Sequence, residues 1–319
     1  MKARRRGLDN IGKKDIQNPK TEVVVSVPAI FSTTVDLEQV LYVVNKSKSS
    51  AAKDRKVIID FANVEIVNAA ALALLLSVVN DLNTLGVRVQ CKISENTLAK
   101  DEIIESGFLE HFTNHLGERT PGKNKIFVKG RGKTDQKRIA EEIRAAMKTV
   151  YGAEDFNQPM QGAVVEMMAN SVNHAFRRTF KRNAYFINEL SKKKRWYLSV
   201  VHNHTEQQVY FTFVDNGLGL LQTIRRRFFG RIKEIFDDKS VLQKAFEGEY
   251  GSSTKQKERG HGLPTILSAF DKKSLRNLKI ITNGCFYSFE NQQLDKLTNS
   301  FEGTAYFWTL DKKCTYGNT

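Results

Sequence analysis

The sequence predicts an α/β protein made of two successive α/β units. Two observations point there. Between residues 20 and 116, short apolar runs alternate with helical patterns, the order that yields a small open sheet with connecting helices. Beyond about residue 136, helical patterns enclose paired runs of β-branched and aromatic residues, which read as a hairpin within a second sheet. A chain of 319 residues is long enough to bury two cores.

The elements follow in order. Residues 1–19 are polar and basic without hydrophobic periodicity and read as an arm. Residues 22–28 read as a strand, 35–45 as a helix, and 56–61 as a continuous apolar run typical of a buried strand. Asn68 stands as an N-cap before an apolar helix over 69–85, and Gly86 follows in the usual position after a helix. Residues 87–93 return as a strand. The run from Val57 through Asp60, Val64 and Asn68 to Ala73, with Ile104, Gly107, Phe108 and Leu109 further on, resembles a STAS domain over residues 20–116. In phosphoregulated members of that family the turn before the helix carries a hydroxyl that a kinase phosphorylates. Here Asn68 is followed by Ala69, Ala70 and Ala71, and a methyl group accepts no phosphoryl. The resemblance therefore implies a docking or scaffold module for a protein partner, not a phosphoswitch at that turn.

Residues 117–135 form a connector with one strand candidate at 125–129. A second unit then occupies 136–319, opening with a helix to about residue 150. A helical pattern over 161–176 puts Val165, Met168, Val172 and Phe176 on one stripe and Glu166, Asn170, Asn173 and His174 on another. Asn is a poor helix former, so two in mid-helix suggest work beyond packing. Residues 196–202 and 209–214 read as a hairpin ending at Asp215, with Gly217 and Gly219 behind it. Taken alone, Asp215-Asn-Gly217 is an ordinary turn. Gly260-His261-Gly262-Leu263-Pro264 precedes a helical run, an arrangement suited to an anion at a helix start, with Arg259 adjacent. Gly303-Thr304 opens a closing strand over 305–310.

These four boxes, in this order, resemble the nucleotide site of the GHKL ATPases, and the Glu166, Asn170, His174 spacing is closest to the anti-sigma serine-kinase branch. The resemblance implies a Bergerat α/β sandwich, a mixed sheet with helices on one face, binding ATP and Mg²⁺. It implies that Asn170 is the Mg²⁺ ligand, a hard oxygen donor for a hard ion, and that Glu166 is the general base. It also implies that Asp215 accepts from the adenine amino group, and that Asn173, Gly217, Gly219, Arg259, Gly260, His261, Gly262, Leu263 and Thr304 line the nucleotide. His174 reads as a packing residue. The interval 220–259, with Arg225, Arg226, Arg227, Arg231 and Lys233, corresponds to the family's ATP lid, and nucleotide-dependent homodimers accompany such lids.

Bulk properties narrow the classes. Hydrophobic residues make up 40% and charged residues 27%, which excludes a disordered chain. No apolar run reaches the roughly 18 residues of a membrane span, and the start of the chain lacks a secretory pattern. Three widely spaced cysteines form no metal motif and fit a reduced, cytoplasmic setting. A net charge of +15 in clusters favours anionic partners, nucleic acid among them. Three functions fit: a regulatory ATPase or protein kinase with a STAS-like docking half, a nucleic-acid-associated ATPase acting with a partner, and a non-hydrolysing ATP sensor.

Overall fold

The computed structural model describes residues 21–50, 55–93, 97–112, 127–131, 134–175, 195–228, 237–250 and 262–315. In the N-terminal unit, β1 (Thr21–Ser26), β3 (Arg55–Asp60) and β5 (Arg88–Lys92) form a parallel sheet in the order β1-β3-β5. Parallel neighbours require crossovers, and α1 (Leu37–Ser49) and α2 (Ala69–Thr84) supply them. A short parallel pair joins β2 (Ile30–Phe31) to β4 (Ile66–Val67). Asp36 caps α1 by accepting from Gln39 N at 3.0 Å, and Asn68 caps α2 by accepting from Ala71 N at 2.9 Å. Helix α3 (Thr97–Glu105) and a 3₁₀ turn at Phe108–His111 follow.

The second sheet runs β6 (Phe127–Arg131), β7 (Arg195–Asn203), β8 (Gln208–Asp215), β10 (Gln293–Leu310), β9 (Arg276–Ser288), and every neighbouring pair is antiparallel. This corrects the expected mixed sheet. Two hairpins, β7–β8 and β9–β10, fix four of the strands as antiparallel neighbours, and no parallel crossover separates them. The strand candidate expected at 125–129 within the connector is observed as β6, hydrogen-bonded to β7 at the edge of this sheet. Helices α4 (Gln136–Tyr151), α5 (Gln158–Asn170), α6 (Leu220–Arg227), α7 (Asp238–Phe246) and α8 (Gly262–Asp271) complete the unit. The helix expected over 161–176 ends its α-helical part at Asn170 and continues as a π-helical turn, Ser171–Ala175; Phe176 lies outside the described residues.

Strand alternation shows how the layers stack. Val209, Phe211 and Phe213 of β8, with Tyr306, Trp308 and Leu310 of β10, share a core with α4 to α8. Their out-of-phase neighbours Val214 and Ala305, with Tyr197, Ile281 and Phe301, share a core with α1 and α2 of the N-terminal unit. The C-terminal helices thus cover one face of the second sheet, and the N-terminal unit covers the other. Residues Ala71 to Leu82 of α2 are all buried, as expected of a helix with a sheet on either side.

A β-bulge locks the two units together. Between Lys296 and Phe301 the β9–β10 register shifts, which frees backbone groups from the ladder. Side chains of α1 meet them. The Glu38 carboxylate accepts from Thr298 N at 2.7 Å and Asn299 N at 2.8 Å, Asn45 Nδ2 donates to Ser300 O at 2.8 Å, and Lys48 Nζ donates to Glu302 O at 2.7 Å. Among the described residues no helix is long and apolar enough to cross a membrane.

Candidate functional site

Asn157 anchors α5, accepting from Met160 N at 3.0 Å and donating to Ser274 O at 2.9 Å, with Pro159 in the first turn. Met160, Ala163, Val164, Met167 and Met168 face the core. This leaves Glu166 and Asn170, one helical turn apart, half-buried on another side. They meet the first turn of α8. A Cβ on Gly262 would stand 2.7 Å from Glu166 Oε2 and 3.6 Å from Asn170 Nδ2, so only a residue without a side chain lets the α8 start approach them this closely. The Asn170 Nδ2 atom is buried and has no hydrogen-bond partner among the described residues. A carboxylate, a buried amide NH2 without an acceptor among the described residues and a glycine helix start converge here, and the unpaired NH2 is a donor suited to an anionic oxygen. Leu263 packs its side chain against the core below.

Asp215 ends β8 on the same side of the sheet as Phe213, facing the helices. It is 4% exposed, Gly217 N donates to its Oδ1 at 3.0 Å, and in the β8–β10 ladder it stands opposite Thr304. Burial pushes its carboxyl up to about 7, although the Gly217 amide, Lys48 and the Thr304 amide all favour the charged form. Gly217 lies against the end of the π-helical turn, where a Cβ would come within 2.6 Å of Ala175. Leu218 N donates to Ala175 O at 2.8 Å. Gly219 precedes α6, whose first amides are satisfied by the sheet. Leu220 N donates to Thr304 Oγ1 at 3.0 Å, Leu221 N to Thr282 Oγ1 at 3.3 Å, and Gln222 N to Asn283 Oδ1 at 3.0 Å. Side chains of β9 and β10 therefore replace the usual N-cap.

Glu166, Asn170 and Gly262 are thus brought together, and Asp215, Gly217, Gly219 and Thr304 form a second group. Asn173 is exposed on the π-helical turn, and His174 Nε2 lies 3.4 Å from a terminal nitrogen of Arg227. Arg259, Gly260 and His261 fall outside the described residues, as do Arg231, Lys233 and Ser252 to Thr254. Of the expected lid over 220–259, residues 220–228 and 237–250 are described. Leu221, Ile224, Phe228, Val241, Leu242, Ala245 and Phe246 belong to the main core, and Phe228 stacks on Tyr250 at 5.3 Å. The apolar periodicity of these helices is spent on packing. Arg225 pairs with Asp238 at 2.8 Å, linking α6 to α7. Phe229, Ile232, Ile235 and Phe236 lie outside the described residues.

Sequence reasoning missed Thr282, Asn283, Asp81 and Asn216. The first two carried no motif. Asp81, however, is an acid inside an otherwise apolar helical run, a signal of buried polar work. Among the described residues no cluster of three or more His, Cys, Asp and Glu side chains is placed to hold a metal ion. No family model matches this sequence, and no curated protein or solved structure resembles it at a significant level.

Proposed function

We propose that the C-terminal unit is a GHKL-type nucleotide site and that the protein is an Mg-ATP-dependent regulatory ATPase or protein kinase. The observation that carries this reading is the approach of Gly262 to Glu166 and Asn170, with Asp215 and Thr304 paired across β8 and β10. Asn170 is the residue that would hold Mg²⁺, and that ion supplies neutralisation of phosphate charge. Glu166 takes the proton of an attacking water or protein hydroxyl as its oxygen bonds to the γ-phosphorus and the bond to the ADP oxygen breaks. Asp215 accepts from the adenine amino group. A base offering an oxygen there leaves the buried carboxylate facing another acceptor, which selects adenine over guanine. The amides at the start of α8 favour anions. The N-terminal STAS-like unit, seated on the opposite face of the sheet, serves as an integral layer of the ATPase.

Calorimetry with Mg-ATP tests this, with turnover assayed on the same samples. Wild type binds, Asp215→Ala loses binding, and Glu166→Ala binds without turnover. A wild-type protein that binds but never turns over is a sensor. One that binds no adenine nucleotide overturns the assignment.

A further inference from the structure

Two faces of one short turn do different jobs. Asp215 points toward the C-terminal helices, and Asn216, the next residue, points through the sheet to the N-terminal unit. There Asn216 Nδ2 donates to Asp81 Oδ2 at 2.7 Å and lies 3.2 Å from Ser77 Oγ, both on α2. Asp81 also accepts from the Tyr197 hydroxyl on β7. Asn216 and Asp81 are each 1% exposed, and Ser77 is fully buried. The residue on the other side, Gly217, donates its amide to Asp215. Three consecutive residues thus connect α2 to the proposed adenine acceptor.

The cluster is not explained by stability. Burying an acid between two apolar layers costs desolvation, and well-packed apolar residues of similar volume commonly hold such interfaces as well or better. What a polar cluster adds is direction. Hydrogen bonds fix where Asn216 points, and the planar peptide units on either side of it limit how Asp215 and Gly217 can turn.

We propose that Asp81 and Ser77 of the N-terminal unit are positioning residues for adenine recognition, acting through Asn216 on Asp215 and Gly217. Selection of the base at the C-terminal unit then depends on a side chain of the N-terminal one. This rests on the reading of Asp215 as the adenine acceptor.

The test uses full-length Asp81→Ala and, as control, Tyr197→Phe, which removes the other hydrogen bond to Asp81 and leaves Asn216 its partners. Amide exchange at Gly217 and Leu218, without nucleotide, is read relative to the amides of β7. Asp81→Ala accelerates that exchange at least tenfold and lowers the ratio of ATP to GTP affinity at least fivefold. Tyr197→Phe changes neither by more than twofold. Should Asp81→Ala not fold, Asn216→Ala replaces it with the same expectation. Unchanged exchange and unchanged selectivity in Asp81→Ala overturn the proposal, and so do equal effects from Tyr197→Phe, which mark a generic packing loss. If wild type binds no nucleotide, the reading of the site fails, and the exchange comparison still decides whether Asp81 holds the turn.

Discussion

At Asp215, burial and ionisation oppose each other, and the proposed adenine contact depends on the outcome. Burial lifts the carboxyl to about 7, so near neutral pH a sizeable fraction is protonated. The ionised form is the stronger acceptor for an adenine amino group, because protonation places a competing donor on the carboxyl. ATP affinity should therefore fall about tenfold between pH 8 and pH 6, as the ionised fraction drops below a pKa near 7. Asp215→Asn removes that component, leaving only the titration of the ligand phosphates; a wild-type profile identical to the variant's would reject the role. Stability runs the other way. With the folded pKa above the ordinary 3.8, the native state holds more protons than the unfolded chain between those values. Stability from this group is thus lost as pH rises through that window. Gly262 offers a steric test. A methyl there displaces Glu166 Oε2, the mobile end of a side chain, so Gly262→Ala should fold normally. Turnover should nevertheless fall roughly a hundredfold, the scale of a misplaced general base; undiminished turnover would separate Glu166 from catalysis.

Elements that look alike in sequence divide here by what lies against them. The helix over 69–85, its Asn68 cap and the flanking strands were legible because capping and apolar runs are local signals. The β7–β8 hairpin was legible for the same reason. The long β9 strand and the role of Thr282 and Asn283 were not, because capping a helix from another strand leaves no trace in spacing. The helices of the 220–259 interval show the same limit. Apolar periodicity in α6 and α7 reports a buried face, whether that face meets a core or a nucleotide, and the structure gives it to the core. The bulge in β10 is a further element without a sequence signature, yet it is testable. Glu38→Ala removes the acceptor of two backbone amides and should destabilise the protein by about 1–2 kcal/mol. Asn45 and Lys48 should keep the fold intact. A denaturation midpoint equal to wild type would show that solvent satisfies those amides equally well.

Taken as a whole, the molecule is a four-layer stack of C-terminal helices, second sheet, α1 with α2, and first sheet, more than two tethered domains. The second sheet carries aromatic and branched side chains on both faces, and the residues toward α1 and α2 include Tyr197, Val214, Ile281, Phe301 and Ala305. A sheet hydrophobic on both faces needs a layer on each side. The unbroken burial of α2 has the same origin, and its sequence counterpart was visible as a run with no polar face, interrupted by Ser77, Asn80 and Asp81. Removing the N-terminal unit would expose a contiguous apolar face of the kind that drives association. Its loss would also leave Asn216 without Asp81 and Ser77. Residues 127–319 expressed alone should therefore be poorly soluble or aggregated, and the full chain should unfold by heat in one cooperative transition with equal calorimetric and van't Hoff enthalpies. Scanning calorimetry of the full chain decides between this and its alternative. Two separable transitions, together with a soluble C-terminal fragment that binds nucleotide as tightly as the whole, would mean that the layers are merely neighbours and that α2 exerts no hold on the site.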